Sequence, residues 1–145
     1  RFILIDGDRR RQFGNLLADS LRRPRPEAPE DALSREREKA LRAPLIIVVA
    51  AACNPAAKIP VIEQILAAGA AAQNIMLAAF AEGFGAMWKT GDAAYDDDVK
   101  TALGLAAGDA IVGFLYVGTD SAGPSPLPQP SWRGFVRPWG GAPSA

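Results

Sequence analysis

The chain has 145 residues, 49% of them apolar and 22% charged, the make-up of one globular domain that removes roughly 70% of its unfolded surface from water. Sixteen basic and sixteen acidic side chains cancel to a formal net charge of zero, which argues against nucleic acid or an anionic membrane as partner. Histidine is absent and cysteine occurs once, so Ser-His-Asp and Cys-His nucleophiles, imidazole-held zinc and internal disulfides are excluded.

An enzyme built from these residues must use carboxylates, an oxygen-held metal or a cofactor that brings its own reactivity. A lone cysteine fits a reducing compartment, and no leader or membrane-spanning pattern is visible, so the cytoplasm is the expected location.

In chain order, Phe2-Ile3-Leu4-Ile5 is a strand that opens the sequence abruptly, from which a preceding N-terminal segment is expected. Asp6-Gly7-Asp8 signals a turn. Phe13, Leu16, Leu17 and Leu21 then fall at helical spacing, with Arg9 to Arg11 and Arg22-Arg23 on the wet side. Pro24, Pro26 and Pro29 mark a surface loop, and Asp31 is placed to cap a second helix reaching about Leu41. Residues 34–39 are almost wholly charged, which predicts a solvated helix. Residues 45–52, LIIVVAAA, form a continuous apolar run of the kind found in a strand buried on both faces.

Residues 61–82 are the longest element. Pro60 is tolerated in a first helical turn, no proline follows until the helix is over, and most positions are Ala, Leu, Ile or Met. Apolar residues fall on every face, interrupted by Gln64, Gln73 and Asn74, and a helix of that kind is expected to be buried. Its polar interruptions and high alanine content argue against a membrane span. Gly83 and Gly85 stop it, and Ala86-Met87-Trp88 begins a short strand that ends in Lys89-Thr90-Gly91. Asp96, Asp97 and Asp98 open a short helix ending near Leu103-Gly104, and residues 110–118 are the last core strand. Residues 120–145 read as an extended arm, with Pro alternating with small residues over 123–130. Its Trp132, Phe135 and Trp139 need a surface to bury them, and a second subunit is the expected one. Four strands and four helices in this order predict an α+β sheet flanked by helices over residues 1–119. A doubly wound parallel sheet is disfavoured, because the first crossover holds two helices and a proline-rich loop.

Among the motifs, Gly83-Phe84-Gly85 reads most simply as a helix stop; it follows a helix and so is no dinucleotide fingerprint. Trp88-Lys89-Thr90 places a ring, a cation and a hydroxyl at a strand end, which suits a phosphorylated aromatic cofactor. A core Trp beside a surface Lys is the plainer alternative. Three adjacent aspartates could take a divalent cation, but a helix cap explains them better and no metal site is assigned. Cys53 is read as core, and the Arg9 to Arg11 and Arg22 to Arg25 clusters as solvated faces.

Five segments occur in register: Arg42-Ala43-Pro44-Leu45-Ile46-Ile47; Lys58-Ile59-Pro60 with Glu63-Gln64; Gly69 with Ala72-Gln73-Asn74; Gly83-Phe84-Gly85 through Trp88-Lys89-Thr90-Gly91; and Ile111-Val112-Gly113-Phe114-Leu115-Tyr116-Val117-Gly118-Thr119. Over residues 2–119 the chain resembles the nitroreductase family of FMN-dependent NAD(P)H oxidoreductases, in its small single-domain bacterial branch. The resemblance implies a mainly antiparallel central sheet flanked by helices, in an intertwined homodimer with FMN at the subunit interface. It assigns Trp88, Lys89 and Thr90 to FMN, and Ala78, Ala79, Phe80, Ala81, Glu82 and Gly83 to NAD(P)H. The chain departs from the family in two ways. Lys89 stands where Arg is usual, exchanging a forked donor for a point charge. The family's first helix, with its Arg-Arg-Ser/Thr phosphate grip, belongs before Phe2.

The activity implied is hydride transfer from NAD(P)H to the flavin and then to a nitroaromatic, a quinone or a similar electron-poor acceptor, with no catalytic side chain nominated. A flavin-dependent dehalogenase or flavin-fragmenting enzyme is a variant within the same fold. The alternative from a different class is a cofactor-free, helix-centred dimeric scaffold, which alanine packing and an aromatic tail would serve equally well.

Overall fold

The unbroken apolar run at Leu45–Ala51 forms strand β2, with a strand on each side and helices over both faces. A computed structural model describes residues 1–119, 123 and 130–140. Its elements are β1 (Phe2–Asp6), α1 (Arg9–Arg22), α2 (Glu30–Lys39), β2, α3 (Val61–Ala81), β3 (Gly85–Lys89), α4 (Asp97–Ala102) and β4 (Ala110–Gly118), with one-turn 3-10 helices at Asp92–Ala94 and Trp132–Phe135. The strand order is β1-β2-β4-β3 and each pairing is antiparallel. This is the α+β arrangement that the element order predicts.

Alternation along the strands sorts side chains into two layers. Ile46, Val48 and Phe114 join Ile5, Phe13, Leu17 and Val99 in the core beneath α1 and α4. The Phe13 and Phe114 rings meet at 5.5 Å between centroids, tilted by 52°. Val49 and Leu115 face the other way, onto Ala72 of α3. β4 carries a bulge: Val49 pairs with Gly113 and Ala50 with Ile111, leaving Val112 without a partner in β2.

α2 is less solvated than its charge predicts. Leu33 and Ala40 are buried, and Gly14 of α1 lies so close that a Cβ there would stand 2.6 Å from the Arg37 carbonyl oxygen. Pro29, not Asp31, occupies the N-cap, and the helix ends at Lys39 rather than Leu41. Asp31 sits in the first turn, where an acid still complements the positive helix end. Cys53 lies beyond the end of β2 and is half-buried, not core.

The largest departure concerns α3. By length and composition it would pass for a membrane span, yet it packs along the face formed by β2, β4 and β3. Of its 21 residues only Ala72 is buried, so the all-round burial expected of it is not met within one chain. Ile62, Leu66, Leu77 and Phe80 remain exposed, and Phe2 and Leu4 of β1 are exposed as well. One sheet can cover only one side of a helix, and the opposite apolar side has no cover among the described residues. Gln64 has a local role: its side chain accepts from the Asn54 N–H at 2.8 Å and donates to the Asn54 and Ile59 carbonyls, pinning the preceding loop to the helix. The other end closes as the sequence indicates. Gly83 takes φ +81°, its N–H bonds the Phe80 carbonyl, and the Phe84 N–H reaches back to Ala79 at 2.8 Å, a Schellman stop.

Of the arm expected over residues 120–145, residues 120–122, 124–129 and 141–145 lie outside the described residues. Its Trp132, Phe135 and Trp139 are exposed on this chain.

Candidate functional site

Where α1 ends, its chain turns at Arg23-Pro24-Arg25 along the rim of a cleft of about 800 Å³ on the face away from α3. The C-terminal end of α2 and Arg42 form a second side, and residues 89–92 with Tyr95 form a third. Phe114 and Tyr116 of β4 are the floor, because alternate residues of that strand point to this face. Gly91 lets the chain leave β3 sharply, at φ +124°, a value that an L side chain rarely adopts.

The wall between α1 and α4 is held by one carboxylate. Asp96 caps α4 by accepting from the Asp98 and Val99 N–H groups. It also accepts from the Ser20 hydroxyl and the Arg23 guanidinium, each at 2.5 Å. Burial pushes its pKa up, but these four donors outweigh burial and hold it at about 2. The same hydrogen bond raises the Arg23 pKa. The triple aspartate is therefore a cap and a strut, as the plainer reading expects. Among the described residues, no group of His, Cys, Asp or Glu side chains is arranged to hold a metal ion.

The remaining charges, Arg25, Arg42 and Lys89 against Asp92, leave the cleft positive. Arg23 is occupied by Asp96 and Asp98, and Lys39 by Glu36. Among the described residues Arg25, Arg42 and Lys89 line the cleft without a carboxylate within ion-pair distance. Burial raises the pKa of the Tyr116 phenol, while the charge of Arg42 pulls it down and that of Glu36 pushes it up. Unpaired cations, a threonine hydroxyl and aromatic walls can together hold a ring that carries a phosphate.

The residues singled out in the sequence divide into three places. Lys89 and Thr90 enter the cleft. Trp88, one residue earlier, faces the opposite layer with α3, where its indole N–H donates to the Val112 carbonyl at 3.2 Å. Ala78, Ala79, Phe80, Ala81, Glu82 and Gly83 form the C-terminal end of α3 and its stop. They adjoin the Gly85 end of β3, about 13 Å of strand from Lys89 at ~3.3 Å per residue. Of the other cleft residues, Arg25 reads in the sequence as part of a solvated cluster, Arg42 and Tyr116 stand only within segments that carry the family resemblance, and Tyr95 is not marked; none is assigned to a site there. Only the alternation of β4 carried a signal, since it places Tyr116 on the same face as Phe114.

A profile of the nitroreductase family matches residues 1–119. YdjA of Escherichia coli K12, whose name assigns it provisionally as an NAD(P)H nitroreductase, is 37% identical over 118 residues, 81% of this chain and 63% of YdjA. The chain thus spans less than two thirds of that relative. Among solved structures, the nitroreductase-like family protein of Bacillus cereus superposes with a TM-score of 0.80 at 25% identity, over 97% of this chain and 73% of that one. A protein of Desulfovibrio desulfuricans, provisionally named a nitroreductase and solved in complex with FMN, has a TM-score of 0.63 at 26% identity, over 90% of this chain and 66% of that one.

Proposed function

The chain belongs to the nitroreductase family, and on that premise we propose that it is a cytoplasmic, homodimeric FMN-dependent NAD(P)H oxidoreductase. The observation that carries this reading is the pairing of Lys89 and Thr90 with two further unpaired cations, Arg25 and Arg42, around a cleft floored by Phe114 and Tyr116. These groups fit the phosphate end of FMN. Lys89 would supply a point charge to the phosphate, the Thr90 hydroxyl would donate to it, and the arginines would neutralise what is left. Phe114 and Tyr116 keep water from the floor, while Asp96, Ser20 and Arg23 hold the wall in place. FMN, when bound, would supply the redox chemistry between NAD(P)H and a nitroaromatic, quinone or similar acceptor, in two half-reactions of a ping-pong cycle. Ala78, Ala79, Phe80, Ala81, Glu82 and Gly83 serve the nicotinamide dinucleotide at the exposed end of α3.

The uncovered side of α3, with Ile62, Leu66, Leu77 and Phe80 exposed beside Phe2 and Leu4, supports a second copy of the chain as its cover. An intertwined pair belongs to the obligate class of interface, about 2,000–5,000 Å².

The test is the visible absorption spectrum of the purified full-length protein. A yellow protein that NADPH bleaches supports the assignment. One that is colourless, and stays so after FMN is added, overturns it in favour of a cofactor-free scaffold.

A further inference from the structure

Trp88 is bound more tightly than an exposed sheet edge requires. β3 pairs with β4 only as far as Lys89 and Phe114, and the bulge leaves Val112 without a partner on either neighbouring strand. The Trp88 indole spans this gap, its N–H donating to the Val112 carbonyl at 3.2 Å. The ring lies directly on Gly113. A Cβ at that position would stand 2.1 Å from Nε1 and 2.6 Å from Cδ1 of the indole, so only glycine leaves the seat open. Leu115, the register partner of Trp88, and Val117 pack in the same layer.

An edge strand ends where its ladder ends and frays there first. Here the last ladder pair is the one that carries Lys89 toward the cleft, with Thr90 one residue beyond it. We propose that Trp88 is a positioning residue: its indole, seated on Gly113 and bonded to Val112 on the α3 face, fixes the end of β3 so that Lys89 and Thr90 are presented to the ligand on the opposite face. This rests on the assignment of Lys89 and Thr90 to FMN. It gives Trp88 a role exerted through the strand, without contact between its ring and the flavin.

The experiment uses Gly113→Ala, which fills the seat, and Trp88→Phe, which keeps a ring and removes the N–H. FMN affinity is measured by quenching of flavin fluorescence, and amide exchange of residues 85–90 by mass spectrometry. Gly113→Ala is expected to weaken FMN by about 10-fold or more, the scale of a lost charge-assisted hydrogen bond, and to speed exchange at the end of β3. Trp88→Phe is expected to fall between parent and Gly113→Ala in both. In a Lys89→Ala/Thr90→Ala background Gly113→Ala should add less than about twofold, because the side chains that the strut presents are gone. Affinity within about twofold of the parent in Gly113→Ala, or full additivity with Lys89→Ala/Thr90→Ala, overturns the proposal and leaves the flavin assignment standing. A parent that binds no FMN overturns the flavin assignment and this role with it. Unchanged exchange over 85–90 in both variants overturns the strut itself.

Discussion

Asp96 is the point at which one substitution tests several inferences together. Its side chain is only 17% exposed and accepts from Arg23, Ser20 and two backbone N–H groups. A carboxyl pKa held at about 2 against the usual 3.8 corresponds to about 2 kcal/mol of stability at neutral pH, at ~1.4 kcal/mol per unit. Asp96→Asn keeps an oxygen for the cap, but sets an amide donor against the Arg23 guanidinium and the nearly buried Ser20 hydroxyl. It should cost about 2 kcal/mol at pH 7. Asp96→Ala should cost a further ~1 kcal/mol for the lost cap. The folded-state pKa is depressed, so the contribution is whole above pH 3.8 and is lost as the pH falls toward 2. Urea unfolding at fixed protein concentration, at pH 7, 5, 3 and 2, measures it. The gap between parent and Asp96→Asn should be constant from pH 7 to 5, fall to roughly half at pH 3 and nearly close by pH 2. A gap of the same size at pH 3 as at pH 7 would refute a role for the carboxylate charge.

Further outcomes follow from the packing. Gly14→Ala improves helix propensity by up to about 1 kcal/mol, but its methyl meets the Arg37 backbone at 2.6 Å, and the net result should be a loss of about 1–2 kcal/mol in the same unfolding assay. Gly69→Ala, whose nearest neighbour is the Val112 side chain at 4.0 Å, should instead gain up to about 1 kcal/mol. Lys89→Ala should weaken FMN by roughly 10- to 100-fold with circular dichroism unchanged; equal dissociation constants would remove Lys89 from the phosphate site. Leu66→Glu places a charge on the uncovered side of α3 and should convert a dimer to a monomer by sedimentation. A parent that is monomeric at micromolar concentration contradicts the pairing outright.

Much of the fold was legible because single segments carry strong local rules. The apolar run of β2, the Gly83 stop and the Asp96 cap each depend on neighbours a few residues away. Burial of α3 was not legible, because composition states that a helix must be covered without stating which chain covers it. Trp88 and Lys89 read as one motif in the sequence, yet strand alternation sends them to opposite faces. The arginines of the cleft were equally silent. Arg23 finds its carboxylates at the start of α4, more than 70 residues away, whereas Arg25 finds none among the described residues, and nothing in their shared cluster distinguishes them.

The strand order has a consequence for biosynthesis. β2 and β4, the two middle strands, are separated by α3, β3 and α4, so Leu45–Ala51 leaves the ribosome long before Ala110–Gly118 exists to pair with it. Through that interval one edge of a strand without a single polar side chain is open, and β3 has no neighbour at all until β4 arrives. Such a nascent chain depends on chaperone shelter or on rapid completion of translation. Pauses placed between codons 52 and 110 should lower soluble yield more than pauses placed after 118.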